Sequence, residues 1–228
     1  MSYYNKKYFQ DRDLLDRHLA ATIEMLAQEH GLKKILDVGC GTGKLVKYFN
    51  DNGFEALGCD MADEAIKIAK IVNNSSSIKK ATATNLPFKN HSFDLVTAIS
   101  IIEHLTEKGS KLFLAEAKRV LKPNGFLFTV TPNFAAPWRY IQGKRWFGYS
   151  DPTHTHFYTR KSLSELLRTY RFRNIKLQFK TIYDPPYEWK PPGVLGKLPI
   201  PAKSLITFLL ISTPVSAIRN SFWIAAQK

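Results

Sequence analysis

Cysteine is nearly absent from this sequence. Cys40 and Cys59 are the whole complement, and neither belongs to a CxxC pair. That excludes a disulfide scaffold and a cysteine-built zinc ribbon, and it fits a reduced, cytoplasmic chain. Long apolar runs are also scarce. The longest, Ser204 to Ile218, is too short to span a bilayer and is interrupted by Pro214. The first thirty residues are polar and charged with no apolar h-region, so no signal peptide is expected. No internal repeat or low-complexity tract occurs, which excludes solenoids and compositionally disordered chains. Acidic residues are the minority: 19 Asp and Glu stand against 33 Lys and Arg, a net charge of +14. The imbalance concentrates late, with 13 basic and four acidic residues between Pro137 and Lys203. Such a surface favours anionic partners such as phosphates or acidic lipid headgroups, or simply keeps the chain soluble.

What is present reads as one α/β domain. The chain has 228 residues, 44% of them apolar, enough to bury a full core. Leu15, Leu19, Ile23 and Leu26 recur at helical spacing before Gly31, a natural stop. From Lys33 onward, short apolar runs alternate with helical patterns. Ile35, Leu36 and Val38 form a first strand, "FEALGCD" a second, "IKKATAT" a third, "SFDLVTAIS" a fourth and "GFLFTVTPN" a fifth. "NIKLQFKTIY" makes a sixth strand and "SFWIAAQK" the last. That order implies parallel βαβ units and a doubly wound, mostly parallel seven-stranded sheet.

"LDVGCGTG", Leu36 to Gly43, follows the first strand and opens a helix. Gly39, Gly41 and Gly43 let the backbone turn sharply and approach a ligand closely. Asp60 ends the second strand, 21 residues after Gly39, where a carboxylate meets a ribose diol. The third glycine falls one residue earlier than in dinucleotide sites, and Asp37 precedes the loop. A carboxylate there suits a cationic ligand better than a pyrophosphate.

"ILDVGCGTG", "GCDMADEAIKIAK", "LPFKNHSFDLVTAISIIEHL" and "EAKRVLKPNGFLFTVTPN", in that order, resemble the class I methyltransferases that use S-adenosyl-L-methionine, in the branch containing the ubiquinone-biosynthesis O-methyltransferases. The resemblance covers about residues 33 to 172 and the final strand. It implies that Gly39, Gly41 and Gly43 line the methionine moiety and ribose, with Asp37 near the sulfonium. It implies that Asp60 binds the ribose hydroxyls, Met61 packs on adenine, Asn85 and Leu86 edge the adenine pocket, and Ile99 and Ser100 flank the cofactor. Relatives commonly carry an acid four residues before the Leu of "LPF"; this chain has Thr82. The implied organisation is a single domain, 1–228. It comprises an N-terminal helix and lid (1–32), a cofactor-binding core (33–133), an acceptor-side insert (134–158) and a Pro-rich, apolar insertion (184–220).

The expected reaction is methyl transfer to a small-molecule or lipid-linked acceptor, most simply at a hydroxyl oxygen. An RNA methyltransferase and a non-catalytic cofactor-binding module are alternatives on the same fold. Nucleic acid is not an expected partner: "DPPY", Asp184 to Tyr187, follows the sixth strand rather than the fourth. A hydroxyl nucleophile must lose a proton, and histidine is the natural base. His104, in "IIEHL" after the fourth strand, and His154, in "SDPTHTHFYT", are the catalytic candidates. His154 and His156 share one face if the segment is extended. A metal needs a third or fourth ligand at workable spacing, and no spacing requires Asp151 or His104 to supply one, so no metal is expected. Trp138, Arg139, Tyr140, Arg145, Trp146, Phe147 and Tyr149 give the insert an aromatic and basic character suited to a flat or anionic acceptor. The apolar stretch flanked by Lys203 and Arg219 makes residues 194–219 a candidate peripheral membrane contact. Tyr3 to Phe9 is a candidate lid over the cofactor.

Overall fold

The structure, a computed structural model, describes residues 8–9, 15–178, 199, 202 and 220–228. Helix α1, Arg17–Glu29, starts where the Asp16 carboxylate accepts from the His18 and Leu19 amides, at 3.0 and 3.1 Å. Its apolar stripe, Leu19, Ile23 and Leu26, is buried. Then follow β1 (Lys34–Val38), α2 (Lys44–Asp51), β2 (Glu55–Asp60), α3 (Asp63–Val72), β3 (Ile78–Lys80) and β4 (Phe93–Ile99). Next come α4 (Glu107–Val120), β5 (Leu121–Pro132), two short helices α5 (Pro137–Gln142) and α6 (Phe147–Ser150), α7 (Arg160–Thr169), β6 (Arg173–Gln178) and β7 (Ser221–Gln227).

The seven strands form one sheet in the order β3-β2-β1-β4-β5-β7-β6. Strands β1 to β5 pair in parallel; β7 runs antiparallel to both β5 and β6. Period-two alternation splits β1 between two core layers. Ile35 packs with Leu19, Phe49 and Ile66 on one face. Leu36 and Val38 pack with Phe113, Leu114 and Leu163 on the other. The chain leaves β1 and β4 in opposite directions, so the crevice between their C-terminal ends is the switch point where α/β sheets bind ligands.

Several boundaries differ from the sequence expectation. The third strand ends at Lys80 because Thr82 and Asn85 close a turn, the Asn85 amide donating to the Thr82 carbonyl at 3.1 Å. The fifth begins earlier, at Leu121, which pairs with Phe93 across a bulge before Leu95. The sixth is described to Gln178. The insertion at 184–220 and the membrane contact expected at 194–219 lie outside the described residues, apart from 199, 202 and 220. No helix among the described residues is long and apolar enough to cross a membrane.

The insert after β5 builds a small aromatic core of its own. Trp146 is fully buried, with Tyr149, Phe147, Phe157 and Phe134 rings at 5.0 to 6.4 Å. Its indole N–H donates to Asn220 Oδ1 at 3.1 Å, tying the insert to the start of β7. Tyr140 and Ile141 remain exposed on α5.

Candidate active site

The loop after β1 folds back on β2. Gly39 and Cys40 amides both donate to the Cys59 carbonyl, at 2.7 and 3.0 Å. Gly39 sits at φ +74°, and a Cβ there would stand 1.9 Å from Ile101 Cδ1. At Gly43, φ +77°, a Cβ would meet Asn73 at 2.5 Å just as α2 begins. Both positions therefore require glycine for backbone and space alike. Asp60 holds the loop's far side: Oδ2 accepts from the Gly41 amide and Oδ1 from the Ala62 amide, each at 2.9 Å. Burial raises the Asp60 pKa, partly offset by these donors.

Asp37 lies within the sheet, buried, and accepts from Thr97 Oγ1 at 2.7 Å. Burial pushes its pKa from 3.8 up to about 7; Thr97 counters the rise and Asp60 adds to it. A folded value above the unfolded one means that this carboxyl stabilises the fold below about pH 3.8, and the contribution is lost as pH climbs to about 7. A cationic ligand reverses the preference by favouring the ionised form. Affinity for S-adenosylmethionine should therefore rise with pH through about 7, by up to about tenfold per unit below it. Titration calorimetry from acid to mildly alkaline pH checks this. Asp37→Asn should flatten the profile; an equally steep one would assign the dependence elsewhere.

One cavity of about 690 Å³ opens at the switch point. Gly39, Asp60, Met61 and residues 81–84 line it on the β1–β3 side. Ile99, Ser100 and Ile101 form its middle. Glu103, His104, Asp151, Thr153 and His154 line it on the β4–β5 side. Tyr8, Phe9, Phe147 and Ser150 complete the wall. Ser100 turns the chain into this wall at φ +53°, its amide donating to the Val130 carbonyl at 3.0 Å.

Ile102–His104 is a single 3₁₀ turn that brings two groups into the cavity. Glu103 is wholly buried, with its own amide and the Thr131 and Ser100 hydroxyls beside its carboxylate. Burial pushes its pKa up to about 7; those three donors counter the rise, and the Asp151 charge adds to it. Its carbonyl accepts the Thr155 and His156 amides at 2.9 and 3.1 Å, fastening the "DPTHTH" loop to the turn. Within that loop, Thr153 donates its hydroxyl to Asp151 Oδ1 at 2.5 Å and its amide to the same oxygen at 3.0 Å. Burial raises Asp151, but these donors and the neighbouring His104 and His154 outweigh it and hold the carboxyl below the usual range. Having spent its proton on Asp151, Thr153 Oγ1 accepts from His104 Nδ1 at 2.8 Å. His154 Nδ1 donates to the Gly148 carbonyl at 2.6 Å. The His104 and His154 rings meet edge to face, centroids 4.6 Å apart.

The cavity thus gathers Gly39, Asp60, Met61, Ile99, Ser100, His104 and His154 from the expected residues. Asp37, Gly41 and Gly43 stand behind it, shaping the loop. Asn85 and Leu86 do not line it. Leu86 is a core residue, held inward because its amide donates to Glu116 at 2.7 Å. His156 does not line it either; its ring sits 4.6 Å from Tyr158. The sequence reading takes His154 and not His156 as the catalytic candidate and names no metal ligand. The structure sets His154 beside Glu103 and His104, each offering a ligand-capable atom within 4.8 Å of the others. Thr153 was legible only as part of an Asp-x-Thr turn, and Glu103 only as the neighbour of His104. Of the expected N-terminal lid, Tyr8 and Phe9 reach the cavity, and residues 3–7 lie outside the described residues.

The methyltransferase-domain family matches residues 36–129, the span from β1 to β5 that carries the glycine loop, Asp60 and the Glu103–His104 turn. Over that span, 94 of its 228 residues, the chain is similar to methyltransferases. It is similar to the ubiquinone biosynthesis O-methyltransferase of Bartonella bacilliformis, 36% identical over 112 residues, 47% of this chain and 44% of that protein. It is also similar to the enzyme of the same name from Saccharophagus degradans, 30% identical over 154 residues, 64% of each. The chain spans about half the length of the first curated relatives it matches. A solved S-adenosylmethionine-dependent methyltransferase from Archaeoglobus fulgidus shares the fold over the whole of both chains, with a TM-score of 0.67 at 20% identity. The residues lining this cavity fit S-adenosylmethionine. A cationic ligand would face a wall free of lysine and arginine, beside the Asp60, Glu103 and Asp151 carboxylates, with Gly39 where a Cβ would meet Ile101.

Proposed function

We propose that this chain is a methyltransferase that transfers the methyl group of S-adenosylmethionine to a hydroxyl oxygen of a small-molecule or lipid-linked acceptor. The observation that carries the reading is the continuity of one cavity from Gly39, Asp60 and Met61 to Glu103, His104 and His154. Bound in this cavity, S-adenosylmethionine would supply a methyl carbon on a cationic sulfur, which would leave with the bonding pair as a neutral thioether. Asp60 would hold the ribose end and Met61 would lie against the adenine. Ile99 and Ser100 flank the reacting centre, and such alignment supplies much of the rate in an in-line displacement. The proton held by each histidine on Nδ1, fixed by Thr153 and by Gly148, places the lone pair of the neutral ring on Nε2. That atom takes the hydroxyl proton, and the buried Glu103 steadies the charge that develops. Phe147 and Ser150, from the aromatic and basic insert, line the wall where a flat or lipid-linked acceptor enters. The O-methyltransferase names of the relatives support oxygen as the nucleophile.

Methyl transfer from labelled cofactor into fractionated small-molecule and lipid extracts tests the reading. His154→Ala should lower turnover by on the order of 100- to 10,000-fold with cofactor Kd unchanged, and His156→Ala should leave it near wild type. Turnover unaffected by His154→Ala would contradict the assignment.

A further inference from the structure

We infer that a second, cationic cleft at the opposite edge of the sheet binds a compact polyphosphate anion, a free small molecule that carries adjacent phosphate groups. The cleft has a volume of about 640 Å³. Lys118, Arg168, Arg171, Arg173 and Lys228 line it around Phe172, and no Asp or Glu is among its described lining residues. The sheet register separates it from the active-site cavity. Pro132, in the cavity wall, pairs with Ser221 at the start of β7. Phe126 and Arg173 pair with Gln227 at the other end of that strand, next to Lys228.

The fold itself employs two of the five cations. Lys118 Nζ donates to the Tyr170 carbonyl at 2.8 Å, closing the end of α7, and Lys228 Nζ donates to the Leu121 carbonyl at 2.6 Å just past α4. The arginines have no such work. Arg173 Nη2 makes one long bond, 3.4 Å, to the Lys228 main-chain oxygen. The Arg168 and Arg171 guanidiniums have no hydrogen bond or ion pair among the described residues. Arg171 also stands at φ +58°. There its amide donates to the Arg168 carbonyl at 2.8 Å, and the Phe172 amide donates to the Leu167 carbonyl at 3.0 Å. Glycine fits such a left-handed helix stop at least cost, so arginine keeps its side chain in the cleft against its own backbone preference. The cations also repel one another. Partial burial lowers the Lys118 pKa, and the Arg171 and Arg173 charges lower it further; burial and the Lys118 charge lower Lys228. A bound anion relieves that repulsion.

Each guanidinium presents paired N–H donors that match phosphate oxygens two at a time, and three of them around a notch suit neighbouring phosphates on one small molecule. The rest of the wall disfavours larger partners. A bilayer surface needs exposed apolar side chains to enter it, and none of the large exposed apolar side chains of the described residues lines the cleft. A nucleic-acid strand needs exposed aromatic faces for its bases, and the Phe172 ring is buried. The site stands whether or not the methyl-transfer reading holds.

The full chain is titrated with inorganic pyrophosphate by calorimetry. The expected result is one ion per chain, with a thermal midpoint raised by the ligand. Arg171→Gly should weaken binding at least about tenfold. Its ligand-free midpoint should stay at or above that of the wild type, since glycine suits φ +58°. Adding Arg168→Gln should weaken binding at least about tenfold again. Lys108→Ala, which removes one charge from an exposed site on α4, should leave it unchanged. No saturable binding, or an equal loss in Lys108→Ala, overturns the inference. Flotation with phosphatidylglycerol vesicles and gel shift with a single-stranded oligonucleotide probe the other sources of phosphate. Capture of either that Arg171→Gly abolishes, in a chain that does not bind pyrophosphate, also overturns it.

Discussion

Asp60→Ala loses S-adenosylmethionine affinity by on the order of 100-fold or more. Two charge-assisted hydrogen bonds to the ribose diol disappear, each worth about 1.5–3 kcal/mol, and no neighbouring carboxylate lines the same side of the cavity. The fold should survive. The side chain ties down Gly41 and Ala62, but burial has already raised its pKa, so its removal also relieves a desolvation cost. The thermal midpoint should move by less than about 5 °C. Asp60→Asn, which keeps an acceptor for one backbone amide but loses the charge, should fall between. Calorimetry on the folded variants reads the result. Wild-type affinity in Asp60→Ala would remove the ribose assignment.

Gly39→Ala acts through the backbone and the cavity together. A Cβ at φ +74° costs about 1–2 kcal/mol. Its approach to 1.9 Å from Ile101 Cδ1 forces that side chain to move, adding about 1–3 kcal/mol of overpacking. For a chain of this size, the sum lowers the thermal midpoint by roughly 5–15 °C. Ile101 lines the cavity, so its displacement intrudes where the cofactor lies, and Kd should rise at least about tenfold. A thermal melt and a cofactor titration on one preparation separate the two effects. An unchanged melt would show that the loop relaxes freely, and Gly39 would then carry no structural requirement.

The sheet, and the meeting of Gly39, Asp60 and Met61 at one cavity wall, were largely legible in the sequence. Strand and helix periods alternate cleanly, and glycine loops and strand-end acids act locally, within a few residues of the turn they shape. Where a local signal met a tertiary one, the tertiary contact decided. Leu86 resembles a pocket-edge residue by its place in "LPF", yet Glu116, thirty residues away, holds its amide and turns it into the core. The histidines show the same limit more sharply. An extended chain would set His154 and His156 on one face. The turn at Asp151–Thr153 instead bends the loop, and the Glu103 carbonyl captures the Thr155 and His156 amides. His154 therefore faces His104, fifty residues earlier, and His156 packs on Tyr158. No sequence period links Glu103 to His154; only the adjacency of β4 and β5 brings their loops together.

The central claim is that the cavity at the β1–β4 crevice holds S-adenosylmethionine. Titration of the wild-type chain with the cofactor at about pH 8, above the Asp37 value of about 7, tests it most directly. The account predicts one-to-one binding with Kd below about 1 mM, lost in Asp60→Ala and weakened on acidification. No binding heat at millimolar cofactor would contradict it.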